Sequence, residues 1–307
     1  MAKKILVLGS SNIDFILKIP RFHQPGETIQ GENLVSVFGG KGANQAMASK
    51  RLGGKVIFLT NLGKDSYGKS YYRYLVGKGF PQKYLLMDTK VPTGIAFIEL
   101  IPKGENRIIV SPGTNDSFSA KDLKRLSPPW KEVKVFVTQL EIPFQTVQMG
   151  LKMAKKHDAL TLLNPSPAIE LPPGLLLLVD FIVPNELEAQ LLTGIRMRRD
   201  RDLPKIAKRL LEMGTQNVVI TLGAKGLFFK NRNEELWMKA FRVKVVDTTA
   251  AGDAFLGALA TSLSENKPIH EALEFANGAG ALATTQLGAQ PSLPSRKDLN
   301  LFLSRMK

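Results

Sequence analysis

Val245-Val246-Asp247-Thr248-Thr249-Ala250-Ala251-Gly252-Asp253-Ala254-Phe255 decides how this chain is read. A β-branched run stops at Asp247, small residues follow, and an apolar pattern of helical period sets in at Ala254, Phe255, Ala258, Leu259 and Leu263. The pattern predicts a strand, a tight turn and a helix in succession. Free backbone N–H groups at a helix start attract anions. A carboxylate placed among them does not serve to hold a phosphate. Asp253 makes better sense as a base that deprotonates a hydroxyl beside the anion site, which points to phosphoryl transfer to an alcohol.

Outward from that stretch, β-rich apolar runs alternate with helical periodicity. Strands are predicted at Ile5 to Leu8, Val56 to Thr60, Val133 to Leu140, Ala159 to Leu163, Asp180 to Val183 and Asn217 to Leu222. Helices are predicted at Ala43 to Leu52, Ser66 to Val76, Thr146 to Lys156, Leu203 to Met213, from Ala251, and at Ile269 to Thr284. This repetition predicts an α/β fold of three layers (αβα) around a mainly parallel central sheet. Two stretches break the rhythm, approximately residues 13–38 and 92–110. They hold strand-like pieces with no helix between them, including a hairpin of Ile95 to Leu100 and Arg107 to Val110 about a Lys103-Gly104-Glu105-Asn106 turn. They read as a small antiparallel flap beside the main sheet, inserted into a single domain of residues 1–307. No linker, low-complexity segment or solenoid repeat interrupts it.

In open α/β sheets, ligands lie beyond the carboxyl ends of the strands. Those ends carry Asn12, Asp14, Asn61, Glu141, Asn164, Asn185 and Thr221. Such polar groups suit a hydroxyl-rich ligand, whose every buried OH needs a partner. Three further motifs sit beside them. In Gly39-Gly40-Lys41-Gly42-Ala43-Asn44, glycines let the backbone approach a ligand at a helix start, with Lys41 and Asn44 on one side of the first turn. In Thr221-Leu222-Gly223-Ala224-Lys225-Gly226, a tight turn follows a buried strand, and its amides can cradle phosphate. In Pro184-Asn185-Glu186-Leu187-Glu188, Asn185 and Glu188 are spaced either as a capping box or as a pair ordering water around Mg²⁺; the two readings are compatible.

Gly63-Lys64-Asp65-Ser66-Tyr67-Gly68-Lys69-Ser70 matches the P-loop pattern, and Leu176-Leu177-Leu178-Val179-Asp180 imitates the acidic strand of that class. The physics argues against it: Asp65 would repel the phosphate, and Tyr67 is bulky where backbone must wrap an anion. Asp65 reads instead as a helix N-cap.

Bulk properties narrow the field. With 307 residues, 44% of them hydrophobic, the chain is globular. No apolar run approaches a membrane span, and Lys3-Lys4 before a short apolar stretch reads as a first strand rather than a signal peptide. The absence of cysteine excludes disulfides and thiol chemistry and fits a cytoplasmic protein. His23, His157 and His270 are too scattered for a zinc site. The formal charge of +15 favours anionic substrates; a nucleic-acid partner is not expected, since no groove-reading motif accompanies it.

Taken in order, these motifs resemble the ribokinase family of carbohydrate kinases (the PfkB superfamily) over essentially the whole chain. Gly39 to Leu62 resembles the family's first signature and Asp247 to Phe255 its second. Gly-Ser-Ser-Asn-Ile-Asp at 9–14, Gln139-Leu140-Glu141, Asn164-Pro165, Pro184-Asn185-Glu186 and Gly288-Ala289-Gln290-Pro291-Ser292 add to the likeness. The resemblance implies ATP-dependent phosphorylation of D-ribose at O5. Asp253 would be the general base, and the amides of Ala251 and Gly252 the anion hole. It implies a sugar site of Asn12, Asp14, Gly40, Lys41, Asn44 and Glu141, and a nucleotide site of Asn185, Thr221, Gly223, Gly226, Gly252 and Asn277. It implies a monovalent cation, K⁺, at Asp247, Thr249, Ala283, Gln286, Gly288 and Ser292, with Mg²⁺ reached from Glu188 through water. It also implies that the two irregular insertions form a small β-sheet lid over the sugar, and a homodimer formed through that β-lid. Many superfamily members carry Gly where this chain has Ala250, a change expected to be harmless if φ there stays negative. Three rivals remain. One is the same chemistry on fructose, 2-keto-3-deoxygluconate or a nucleoside such as adenosine, for which Phe15, Phe22, Phe38 and Phe97 offer stacking surfaces. The others are a P-loop NTPase that binds nucleic acid and a sugar-binding regulator, which would not need Asp253.

Overall fold

A computed structural model describes residues 4–102 and 105–306. Thirteen strands are described: β1 (Lys4–Leu8), β2 (Asn12–Lys18), β3 (Glu32–Gly39), β4 (Val56–Gly63), β5 (Leu85–Asp88), β6 (Gly94–Leu100), β7 (Asn106–Ser111), β8 (Val133–Thr138), β9 (Leu160–Leu163), β10 (Phe181–Ile182), β11 (Asn217–Thr221), β12 (Leu227–Lys230) and β13 (Glu235–Met238). Nine form one sheet in the order β13-β12-β11-β10-β9-β8-β1-β4-β5. From β5 across to β11 every pairing is parallel, and the β11–β12–β13 edge is antiparallel.

The alternation of side chains along β1 shows why helices cover both faces. Ile5 and Val7 point into one apolar layer with helices Lys41–Arg51, Ala251–Ser264 and Ile269–Ala283. Leu6 and Leu8 point into the other, with helices Phe144–Lys156 and Leu203–Glu212. All four side chains are fully buried, so this central strand reads as a continuous apolar run. The chain runs outward from β1 in both directions, through β4 to β5 on one side and β8 to β13 on the other. The order therefore reverses between β1 and β8, where a crevice opens at the strands' carboxyl ends.

A separate four-stranded sheet, β3-β2-β6-β7, is built from residues 12–39 and 94–111. Its strands pair antiparallel except β2 with β6. Asn12 and Asp14, expected at the end of the first strand, lie instead on β2, which leaves β1 after three residues. In the predicted hairpin turn, Lys103 and Gly104 fall outside the described residues. Strands β5 and β13 carry no long apolar run and were not anticipated.

One expectation fails at the decisive stretch. No strand precedes Asp247. Val245 and Val246 are more than half exposed, and the N–H groups of Val246 and Asp247 donate to Thr284 O (2.8 and 3.2 Å). The backbone there is satisfied by the carboxyl end of helix Ile269–Ala283, with no neighbouring strand, so β-branched residues were a misleading sign.

Candidate active site

Helix Ala251–Ser264 starts at Ala250, whose φ of 59° and ψ of 9° are left-handed. This corrects the expectation of a negative φ: the turn needs the αL geometry that glycine adopts freely, and alanine holds it at a cost. Asp253 is the helix's third residue and is buried. Both of its oxygens are engaged: Asn44 Nδ2 donates to Oδ2 and Gln45 Nε2 to Oδ1, each at 2.9 Å. These amides come from the first turn of helix Lys41–Arg51, and the reason lies one turn further along. Gly257 sits four residues after Asp253, and a Cβ there would be 2.5 Å from Ala48 Cβ. Ser49 Oγ also donates to Gly257 O at 3.1 Å. The bare glycine lets the two helices close, and the closure brings the amides up to the carboxylate.

At the turn itself, Ala251 N–H donates to Thr248 O at 3.3 Å. Gly252 N–H lies in the first helical turn, where no intrahelical partner exists. A Cβ added at Gly252 would meet nothing within 4 Å, so this position opens onto free space. Gly252 and Asp253 line a cavity of about 230 Å³ with Lys41, Asn185, Glu188 and Thr221.

Burial pushes the Asp253 pKa up to about 6, with Lys41 and the two amide donors pulling it back down. Asp14 is raised to about 7, by burial first and then by the negative charges of Glu141 and Asp253. Burial would lower Lys41, but Glu141, Asp253, Glu188 and Asp14 surround it and hold its pKa above the usual value. One ammonium thus sits among four carboxylates.

The other expected sugar-side residues gather around the β1–β8 crevice. Glu141 Oε2 accepts from Ser10 Oγ (2.5 Å) and from the Lys41 N–H (3.1 Å), so it caps the helix start that carries Lys41. Asn12 Oδ1 accepts from Asn115 Nδ2 at 2.6 Å. Gly40 has a φ of 89°, and a Cβ there would lie 2.7 Å from the Asn12 nitrogen. A Cβ on Gly39 would lie 1.9 Å from Asp14 Oδ2. Among the described residues no group donates a hydrogen bond to the Asp14 carboxylate. It is buried beside the crevice with its acceptor capacity unspent.

On the far side, Asn185 and Glu188 make the full capping box: Asn185 Oδ1 accepts from Glu188 N–H and Glu188 Oε2 from Asn185 N–H, both at 2.8 Å. Glu188 Oε1 stays uncommitted among the described residues. Asn185 bridges to Thr221 in parallel fashion. Gly223 and Gly226 take positive φ values of 56° and 105° in the next turn. Asn277 reaches Lys239 O at 2.8 Å. These last three do not line the cavity with Asp253.

The expected cation residues converge elsewhere. Asp247 Oδ1 accepts from Thr249 N–H (2.9 Å) and Oγ1 (2.7 Å), while Oδ2 accepts from Gly288 N–H (2.8 Å). One carboxylate thereby ties the 247–249 turn to the 288–292 turn, where Ser292 Oγ donates to Ala289 O. Ala283 ends helix Ile269–Ala283 and its carbonyl accepts from Gln286 N–H at 3.4 Å; the Gln286 side chain is exposed. Oxygen atoms at a helix's carboxyl end, beside a carboxylate, suit a hard cation.

The P-loop look-alike is built differently. Asp65 caps helix Ser66–Gly77 by accepting from Gly68 N–H (2.9 Å) and also accepts from Thr93 N–H and Oγ1 (2.7 and 2.8 Å). Leu175–Leu178 is a 3₁₀ turn rather than a strand, and Asp180 pairs with Lys155 at 2.8 Å. Sequence reading missed Gln45 and Asn115, and took Ser10 and Gln139 only as parts of motifs without a role. The available sign was an amide, Gln45, among the small apolar residues Ala43, Ala46 and Ala48 of one buried helix.

The pfkB family carbohydrate kinase model matches residues 2–296. A ribokinase of Haemophilus influenzae is 39% identical over 303 residues, 99% of each chain. A deoxyribokinase of Salmonella typhi is 34% identical over 301 residues, 98% of each. In three dimensions, an Arabidopsis thaliana ribokinase complexed with ribose and ATP superposes with a TM-score of 0.89 at 32% identity, covering 99% of each chain.

Proposed function

Because this chain belongs to the pfkB family of carbohydrate kinases, we propose that it transfers the γ-phosphoryl group of ATP to O5 of D-ribose, giving D-ribose 5-phosphate and ADP. The observation that carries this reading is Asp253: a buried carboxylate with both oxygens held by amides, one residue from an open backbone amide at a helix start.

In this reading ribose lies over Asn12, Asp14, Gly40, Lys41, Asn44 and Glu141, with Asp14 accepting from neighbouring hydroxyls. Asp253 takes the O5 proton as O5 attacks the γ-phosphorus and the bond to the β-phosphate oxygen breaks. The Gly252 amide faces the charge on the transferred group, and Ala251, whose own N–H is held by Thr248 O, fixes the turn that presents it. Lys41 keeps Asp253 ionised near neutral pH despite burial. ATP runs from this point toward Asn185, Thr221, Gly223, Gly226 and Asn277. Glu188 would hold water on Mg²⁺ through its uncommitted oxygen, and Mg²⁺ when bound neutralises phosphate charge. The Asp247 cluster with Thr249, Ala283, Gln286, Gly288 and Ser292 would hold K⁺, which would brace the anion-hole turn. The chain acts as one unit in the cytoplasm. The small sheet closes over the sugar as a lid that excludes water and pairs with its equivalent in a homodimer.

The test is direct. Asp253→Asn should still bind ribose by calorimetry while turnover falls by about 10²-fold or more. Near-normal turnover would remove Asp253 from the mechanism. The deoxyribokinase relative motivates a second acceptor reading. A panel of ribose, 2-deoxyribose, fructose and adenosine with ATP settles it, and a clear preference for any acceptor but ribose defeats the ribose assignment.

A further inference from the structure

We propose that Gln45 and Gln139 form a one-directional amide relay that positions the Asp253 carboxylate for proton transfer. The proposal rests on the reading of Asp253 as the base.

A carboxylate can only accept, so Gln45 must present its NH₂ group to Asp253 Oδ1, at 2.9 Å. The same nitrogen lies 3.3 Å from Asn164 Oδ1. With its nitrogen so directed, Gln45 Oε1 faces the opposite way and accepts from Gln139 Nε2 at 2.5 Å. Gln139 in turn has its direction imposed, and its own Oε1 ends buried with no donor among the described residues. Reversing Gln45 would turn an oxygen toward Asp253 and take the donor away from it, and reversing Gln139 would set its oxygen against Gln45 Oε1.

Both glutamines are 1% exposed. A buried acceptor without a partner is destabilising, and leucines of similar size would fill this space without one. The arrangement is therefore organised around the carboxylate rather than around its own stability. Gln139 is also confined from behind. A Cβ at Gly9 would lie 2.0 Å from Gln139 Oε1, so the bare backbone after β1 leaves the amide just enough room. Three strand or helix ends thus converge on the orientation of one side chain. Gln45 and Gln139 touch neither sugar nor phosphate in this scheme and are positioning residues.

The experiment uses Gln45→Met, Gln139→Leu and Gly9→Ala in the full-length enzyme. Turnover is followed against pH, ribose binding by calorimetry, and thermal unfolding in parallel. Lys41, Glu141, Asp14 and Glu188, the charged groups facing the same cavity, stay in place in every variant. Loss of the Gln45 donor should lower kcat at pH 7 about 10-fold or more, mostly through lost orientation, leave the ribose Kd within about 3-fold, and move the acid limb of the kcat profile up by about one pH unit, so that roughly 2-fold of the loss is recovered at higher pH. Gln139→Leu should shift the limb the same way by less, and the double variant should be no worse than Gln45→Met alone. Gly9→Ala presses on the Gly42 backbone as well as on Gln139, so Gln139→Leu carries the test should Gln45→Met fail to fold. An equal loss at every pH, with the limb unmoved and the melting point lowered, would mean simple packing and overturn the relay. Asp253→Asn separates the two readings: high activity in that variant ends the base assignment itself, whereas an inactive Asp253→Asn beside an unshifted Gln45→Met limb ends the relay alone.

Discussion

Asp14 and Asp253 are carboxylates that the fold keeps from water against their own preference. Asp14, raised from 3.8 to about 7, is the sharper case. Its folded pKa lies above its unfolded value, so its ionisation costs no stability below the unfolded pKa and the full amount above about pH 7. Asp14→Asn should accordingly abolish tight ribose binding yet raise stability at pH 8, on the order of 1–4 kcal/mol, with the gain shrinking as pH falls toward 4. Calorimetric melts at pH 8 and pH 5 read this directly; an equal gain at both would show that charge is not the cause. Ala250 poses a milder conflict. Its left-handed backbone favours glycine, while its half-buried methyl packs on the apolar core. Ala250→Gly should raise stability by about 1 kcal/mol with kcat unchanged, and a lower melting point would mean the methyl contact outweighs the strain. Residues with a chemical signature were legible from the sequence: a carboxylate set in a turn of small residues, Ala250-Ala251-Gly252, at a helix start flags Asp253. Gln45 was not, because an amide becomes informative only once its direction is known, and Gln139 lies 94 residues away.

Among elements, the contact between helices Lys41–Arg51 and Ala251–Ser264 matters most. Gly257 permits it, and Asn44, Gln45 and Asp253 sit one turn beyond. Gly257→Val should part the helices, costing roughly 1–3 kcal/mol in a urea titration and at least about tenfold in kcat. Stability lost without activity would show that the site does not depend on this approach. Helix Ser66–Gly77 provides the opposite control. Asp65 is spent on capping it and on Thr93, so Lys69→Ala should leave turnover within about 3-fold. Strands such as Lys4–Leu8 were legible because burial on both faces writes an unbroken apolar run. Leu85–Asp88 and Glu235–Met238 were not, because edge strands are half exposed and carry mixed residues. Val245 and Val246 misled for the related reason that β-branching describes a pleated surface and says nothing of whether a neighbour is there to pair with.

For the whole molecule, the small sheet presents Leu34, Val35, Ile108, Ile109 and Val110 to solvent. These residues lie on β3 and β7, the two edge strands of that sheet, and exposed apolar edge strands invite pairing with another sheet, which supports the homodimer proposed above. Ile109, 68% exposed, is the sharpest probe. Ile109→Lys should convert dimer to monomer in sedimentation at micromolar concentration, and a monomeric parent protein would dispose of the idea. The parallel sheet has a consequence of another kind. Each parallel neighbour is reached only by a crossover connection, and the groups that meet at Asp253 start far apart: Asn44 is 209 residues from it along the backbone. Helices can re-form locally and early, whereas this meeting place closes only after distant segments have found one another. After dilution from denaturant, far-ultraviolet ellipticity should therefore return well ahead of phosphorylating activity, and no truncated half of the polypeptide should work unless the missing half is supplied.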